Sequence, residues 1–174
     1  AWNWTFATTG GDIGHHVAGR FWAREKGHCY LAQASTDPHK PKLADPSERT
    51  RVTNPSKGYV VTANENGPYK NGQRSSAYYP EYRARRIESL LKAEKSHTVE
   101  SMQRIQGDRC TPEMIKLSKN LVTWIELQAG PSSLSQAEVA ACRVLKQWDG
   151  SYESHESAPT ILSLVLEEFY HSIL

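Results

Sequence analysis

The chain has 174 residues, of which 38% are hydrophobic, and its 21 basic and 19 acidic residues leave a formal net charge of +2. This length is enough for one domain with a hydrophobic core, or for part of a larger one. Such balanced charge does not favour a nucleic-acid partner, and no apolar run approaches the roughly 18 residues of a membrane-spanning helix.

The first part of the chain carries strand and turn signals. Residues 2–7 (WNWTFA) alternate aromatic with small polar side chains, as a half-buried strand does. A Gly-Gly-Asp turn and a second strand around Ile13–Val17 follow, which predicts a β-hairpin. Residues 28–55 are rich in Pro, Lys, Asp and Ser and predict a long surface connection. A further strand is predicted in residues 57–64 (KGYVVTAN), and a polar loop then runs to about residue 80.

The second part predicts helices, because apolar residues recur there at helical spacing between capping signals. The predicted helices lie in residues 80–95, after Thr98, after Thr111-Pro112-Glu113 and up to Gly130-Pro131, after the capping box Ser135–Glu138, and from about Ser157. Strands that precede helices indicate an α+β fold rather than alternating βαβ units. We therefore divide the chain into a strand and loop portion, residues 1–80, and a helical portion, residues 81–174.

Two clusters could in principle hold a metal, His15-His16 and His28-Cys29. Adjacent histidines on a strand point to opposite faces, so both can hardly bind one ion. Packing or surface histidines are the simpler interpretation, and we predict neither a metal nor a cofactor. The three cysteines are odd in number and form no CxxC motif, so they indicate neither a zinc ribbon nor a dense disulfide framework.

The run Ser154-His155-Glu156 contains the three residue types of a serine hydrolase site. Such sites are normally assembled from distant segments, and the sequence contains no G-x-S-x-G motif. This run is therefore interpreted as a polar linker before the last helix.

On the sequence alone, the roles of Asn64 and Arg83 each have more than one interpretation. Asn64 ends the predicted strand, where asparagine tolerates left-handed turn geometry, or where it could present an amide donor. Arg83, Arg85 and Arg86 stand at i, i+2 and i+3 of a helix and cannot share one face, so at least one should point to a core or a neighbouring loop. Arg83 lies in the first helical turn, near the return of the loop that follows Asn64.

The order of motifs resembles one known family. The segments WNWTFATTGGDIGHHVAGR, NPSKGYVVTANENGP, YRARRIESLL, SHTVESMQRIQGD and VLKQWDGSYESHES resemble, in that order, the β-subunit of the penicillin acylase family. These are N-terminal-nucleophile amidohydrolases that include penicillin, cephalosporin and acyl-homoserine-lactone acylases. The resemblance runs over nearly the whole chain and is weakest at about residues 28–52.

The resemblance implies a fold and a site. The strands would belong to an αββα core of the N-terminal-nucleophile type. In the family the nucleophile is the first residue of the β-subunit, it is released by self-cleavage of a precursor, and its own α-amino group is the general base. The asparagine of the T-A-N motif, here Asn64, would donate its side-chain amide to the oxyanion. The arginine of the Y-R-A motif, here Arg83, would hold that asparagine.

Departures from the family pattern shape what we expect of this chain. It begins with Ala1 rather than Ser, Thr or Cys, so we expect an internal part of the β-subunit that is inactive alone. The loop after Asn64 is one residue longer than usual. Expected partners are the other β-subunit segments, the α-subunit and a small acyl amide substrate, in a periplasmic or secreted enzyme. The alternative is a non-catalytic scaffold or interaction module derived from the same fold.

Overall fold

The computed structural model describes most of the chain and divides it into two compact units, residues 1–95 and 96–174. The described residues are 2–20, 22–23, 42–43, 45–65, 80–129 and 133–173. Antiparallel strands come first and helices follow, so the described residues have the α+β organisation predicted from the sequence.

The first unit contains the strands. They are β1 (Trp2–Ala7), β2 (Ile13–Ala18), β3 (Trp22–Ala23), β4 (Lys42–Leu43) and β5 (Arg51–Thr53). Three of them form an antiparallel sheet in the order β1-β2-β5, and β3 pairs with β4 in a separate two-stranded ribbon. The sheet therefore places β2 at its centre.

The predicted hairpin is confirmed. Its register pairs Trp2 with Ala18 and Ala7 with Ile13. However, all six residues of β1 are exposed, so the predicted half-buried strand is wrong in its burial. β1 is an edge strand of the described sheet, and its side chains are exposed on both faces.

Two predictions between the hairpin and the first helix are wrong. The connection predicted for residues 28–55 contains a short 3-10 helix, Pro46–Glu48, and strand β5, which pairs with β2; residues 28–41 lie outside the described part. The strand predicted in residues 57–64 is not formed. A strand needs a neighbouring strand for its backbone hydrogen bonds, and among the described residues none pairs with this segment.

The helices match the sequence prediction closely. They are α1 (Tyr82–Ala93), α2 (Val99–Gln106), α3 (Pro112–Gln128), α4 (Gln136–Gln147) and α5 (Ala158–Ile173). Ser135 and Glu138 form the predicted capping box, and Thr98 caps α2 in a similar box with Ser101. Thr111 precedes α3 as predicted, but its side chain makes no capping hydrogen bond. None of these helices, within the described part, is long and apolar enough to cross a bilayer.

The second unit has its own core between α3, α4 and α5. Its buried members are Val122, Cys142, Leu145, Trp148, Ala158 and Leu162. Ser118 is fully buried there, and its hydroxyl donates to the carbonyl of Ile115 in its own helix and to that of Leu145 in α4, at 3.0 and 3.3 Å. Burial raises the pKa of the Cys142 thiol.

The Trp-Asp-Gly motif shapes the turn between α4 and α5. The indole of Trp148 donates to the carbonyl of Ser151 at 2.8 Å, and the carboxylate of Asp149 accepts the Ser151 N–H at 2.8 Å. Gly150 has a φ of +88°, and Ser151 forms an antiparallel bridge with Cys110. The motif is thus explained by structure within the second unit.

Candidate active site

The segment that carries Asn64 begins where hydrogen bonds join the end of β5 to the hairpin turn. Asn54, just after β5, has a φ of +47°. Its side-chain oxygen accepts the Ile13 N–H at 2.9 Å, and its amide nitrogen donates to the carboxylate of Asp12 at 2.7 Å. The Gly-Gly-Asp-Ile and Asn-Pro motifs, far apart in the sequence, therefore fix one another.

A tight turn follows Asn54. The N–H of Gly58 donates to the carbonyl of Pro55 at 2.8 Å, and Gly58 has a φ of +76°. Such a φ favours glycine because a side chain is strained there. Residues 59–62 then run, partly buried, to Ala63, which is 7% exposed.

Asn64 is at the end of this segment, in a left-handed conformation. Its φ is +64° and it is exposed. Asparagine is one of the few residues other than glycine that adopts this geometry at modest cost. The turn interpretation from the sequence is therefore correct for the backbone, and it leaves the side chain available for a second role.

The structure brings Asn64 and Arg83 together. Arg83 is the second residue of α1, and its Nη2 donates to the side-chain oxygen of Asn64 and to the carbonyl of Ala63, both at 2.7 Å. The prediction that one arginine of this helix reaches a neighbouring loop is confirmed. Its neighbour Arg85 instead pairs with Glu81 on the helix surface, at 2.8 Å.

This contact fixes the orientation of the amide. A guanidinium has only donors, so the atom of Asn64 that faces Arg83 must be the oxygen. The amide nitrogen then points away from Arg83, and no described residue accepts a hydrogen bond from it. Asn64 is thus an exposed, oriented amide donor.

A second set of contacts ties the same segment to α1. Lys57 donates to the carboxylate of Glu88 at 2.7 Å and lies 4.7 Å from the ring centre of Tyr59. This hydrogen bond from Lys57 is the main reason that the pKa of Glu88 is lowered. Residues 57–64 are therefore attached to α1 near both ends.

Glu65 and His15 complete the surroundings of the turn. The carboxylate of Glu65 accepts the N–H of Ala63. His15, on β2, bonds through Nε2 to the side-chain oxygen of Asn3 at 3.0 Å. Burial lowers the pKa of His15, and the charge of Glu65 raises it by a smaller amount. The carboxylate of Glu65 therefore bonds to the Asn64 turn, and its charge also acts on His15 of the central strand.

Comparison with known proteins assigns the sequence to a family. The sequence profile of the family described as penicillin amidase matches residues 1–174. The chain belongs to the penicillin amidase family. The resemblance found in the order of its motifs is thereby confirmed.

One curated relative is an acyl-homoserine lactone acylase, QuiP of Pseudomonas aeruginosa. It is 29% identical over an alignment of 167 residues, and this alignment covers 90% of this chain and 20% of the relative. The chain therefore spans about a fifth of the length of the relative that it matches.

In this member of the penicillin amidase family, the described residues of the other candidate sites are not arranged as a metal site or a catalytic site. The side chains of His15 and His16 lie on opposite faces of β2, since Thr5 and Trp4 are their respective partners on β1. His28 and Cys29 are outside the described residues, and the described part holds no group of three or more metal-ligating side chains. Ser154 and His155 lie in an exposed turn, with the nearest carboxylate oxygen of Glu156 3.6 Å from His155.

Sequence reasoning missed three residues around the turn, namely Lys57, Glu88 and Glu65. The Lys57–Glu88 pair spans 31 positions and has no local signal. Glu65 lies in the loop that is one residue longer than usual, but the sequence could not show that its carboxylate folds back to Ala63.

Proposed function

We propose that this chain forms part of an amidohydrolase that cleaves the amide between an acyl side chain and an amino-bearing core. In this proposal Asn64 donates its side-chain N–H to the oxygen of the reacting carbonyl, and Arg83 holds Asn64 in place. The acyl-homoserine lactone acylase activity in the name of the relative makes an acyl-homoserine lactone the first substrate to test. A β-lactam with an acylated amine is the second.

The observation that carries the proposal is the orientation of Asn64 by Arg83. The carbonyl oxygen of an amide gains negative charge when a nucleophile attacks, and a donor that already points at that position stabilises the transition state by about 3 kcal/mol. An unheld asparagine would have to be ordered during the reaction. The bond from Arg83 at 2.7 Å removes that requirement.

Arginine is suited to this supporting role. Its guanidinium stays charged at all physiological pH values and its planar fork donates in fixed directions. Here one nitrogen serves both the side chain of Asn64 and the carbonyl of Ala63. The positive charge also lies on the side of the amide dipole that strengthens donation from the amide nitrogen.

The proposal extends to the larger protein. The strand and loop portion, residues 1–80, would belong to an αββα core of the N-terminal-nucleophile type, and residues 81–174 would form a helical portion of the same β-subunit. The nucleophile, released by self-cleavage, would come from outside this chain, and other β-subunit segments and an α-subunit would be its partners. Family membership and the 20% coverage of the relative support this. Family membership also favours a periplasmic or secreted location.

The test uses the full-length protein that contains these residues, with Asn64→Asp and Asn64→Gly. Both variants avoid the strain that alanine would suffer at a φ of +64°. Asn64→Asp keeps the oxygen that Arg83 contacts but removes the amide donor. We expect kcat for a fatty-acyl-homoserine lactone or a chromogenic phenylacetyl amide to fall by about 100-fold to 1,000-fold, with little change in KM.

Asn120→Asp, the same chemical change at an exposed position of α3, is the matched control and should leave kcat unchanged. If Asn64→Asp keeps near-normal turnover, the proposed role of Asn64 is wrong. If the folded wild-type protein hydrolyses none of the acyl amides, the non-catalytic scaffold replaces this proposal.

A further inference from the structure

Ala63 has an unusual set of hydrogen-bond partners for a buried backbone. It is 7% exposed, and both of its main-chain polar groups bond to side chains. Its carbonyl accepts from Arg83 at 2.7 Å, and its N–H donates to Glu65. Buried backbone groups need partners, and among the described residues two charged side chains supply those of Ala63.

The bond to Glu65 closes a small ring around Asn64. Glu65 is two residues after Ala63, so its carboxylate must fold back past Asn64 to reach the Ala63 N–H. The ring holds the backbone of Asn64 at a φ of +64°, a value that most residues leave if they are free to do so. Relaxation of this turn would leave the buried N–H of Ala63 without its acceptor, so the ring opposes it.

Arg83 and Glu65 thus act on different parts of the same residue. Arg83 contacts the side-chain oxygen of Asn64 and sets the direction of its amide. Glu65 accepts a hydrogen bond from the backbone of Ala63, and this bond sets the turn from which the side chain of Asn64 projects. An amide donor is positioned only when both its turn and its own torsion angles are fixed.

We infer that Glu65 is a positioning residue for Asn64. The inference rests on the proposed function of Asn64, and it adds a residue that neither the family resemblance nor the motif spacing indicates. Glu65 acts by geometry rather than by charge, because a carboxylate close to a developing oxyanion would by itself oppose the reaction. Glu65 contributes the hydrogen bond that holds the turn, and a neutral acceptor of the same length can also form this bond.

The test compares three variants in the full-length protein. Glu65→Ala removes the acceptor and should lower kcat about 10-fold, while KM stays within about twofold because substrate binding is not touched. Glu65→Gln keeps an acceptor oxygen at the same length and should retain at least about a third of the wild-type kcat. Glu81→Ala is the control. It removes an exposed carboxylate just before α1 and should have no effect on kcat.

A double-variant cycle shows whether Glu65 acts through Asn64. In an Asn64→Gly background, Glu65→Ala should cause no further loss of kcat, because there is no longer a donor to position. Additive losses would overturn the inference. So would a Glu65→Gln variant as impaired as Glu65→Ala, since the charge rather than the hydrogen bond would then matter.

The outcomes separate this inference from the proposed function. If Asn64→Gly keeps full activity, the function proposed for Asn64 fails, and the inference fails with it. If Asn64→Gly loses activity and Glu65→Ala does not, only the inference fails. Should Glu65→Ala not accumulate as folded protein, Glu65→Ser offers a polar truncation, and the same loss of kcat is expected from it.

Discussion

Arg83 and Asn64, 19 positions apart, are joined by a hydrogen bond of 2.7 Å from the guanidinium to the side-chain oxygen. The bond connects the first turn of α1 to a turn that is otherwise exposed. Because the same nitrogen also bonds to the carbonyl of Ala63, the helix holds both the side chain and the backbone of this turn. Under the proposed function, loss of Arg83 should therefore lower activity by releasing Asn64.

Arg83→Lys tests this. An ammonium keeps the positive charge, but it sits on a shorter side chain and lacks the planar geometry that fixes the direction of the guanidinium N–H groups, so it should reach and orient the two oxygens less well. For the proposed acyl amide substrates, we expect kcat to fall by about 10-fold in the full-length protein, with a larger loss for Arg83→Ala. Arg85→Lys is the control, because Arg85 pairs on the surface with Glu81, and it should behave as wild type. An Arg83→Lys enzyme with unchanged kcat would contradict the supporting role.

The sequence predicted the helices well because their signals are local. Ser135 and Glu138 are three residues apart and make their capping bonds to each other's backbone, so no distant part of the chain is needed to define where α4 begins. The pairing of Asn64 with Arg83 was also predicted, but through the family resemblance and not through spacing. Their roles in catalysis stay a prediction.

The strands were predicted less well, since a strand is defined by its partner. Residues 59–61 have the apolar composition of a strand, yet the position next to β2 is occupied by β5, whose Arg-Val-Thr sequence gives a weak signal. The exposure of Trp2 and Trp4 could not be predicted either, because burial depends on what packs against a face and not on the alternation within the strand. The fold-back of Glu65 to Ala63 is likewise a tertiary feature.

His15 gives the first unit a pH-dependent stability. Its pKa in the folded protein lies below its ordinary value, mainly because of burial, so the unfolded chain binds the proton more readily. Stability from this residue is therefore complete above about pH 6.5 and declines as the pH falls below it. In the full-length protein, His15→Gln should remove this decline, so its melting temperature should rise relative to wild type as the pH is lowered from about 7.5 to about 5.

The difference in melting temperature between His15→Gln and wild type at the upper pH serves as the baseline for that comparison. A gap that stays constant over the range would contradict the effect. Glu65→Gln sharpens the test, since it removes the charge that raises the pKa of His15. The decline in that variant should then continue to a lower pH than in wild type.

Ser118 should stabilise the second unit through its buried hydroxyl. Ser118→Ala removes the donor that reaches Leu145 in the last turn of α4, and a buried carbonyl that loses a partner costs about 1–3 kcal/mol. Ser172→Ala is the matched control, because that hydroxyl also bonds to a carbonyl three residues earlier but is exposed. Its effect should stay within about 0.5 kcal/mol in chemical denaturation. Equal effects of the two changes would show that the bond between helices does not matter.

Gly150 and Gly58 separate backbone strain from packing. Both have positive φ angles, +88° and +76°, so alanine at either position should cost about 1–2 kcal/mol in conformational strain. An added Cβ at Gly58 meets no atom within 4 Å, whereas at Gly150 it would lie 2.6 and 2.7 Å from side-chain carbons of Ile115. Gly150→Ala should therefore cost about 1–3 kcal/mol more than Gly58→Ala in denaturant unfolding. In an Ile115→Ala background the added cost should shrink to that of Gly58→Ala, and if it does not shrink, Ile115 is not the obstacle.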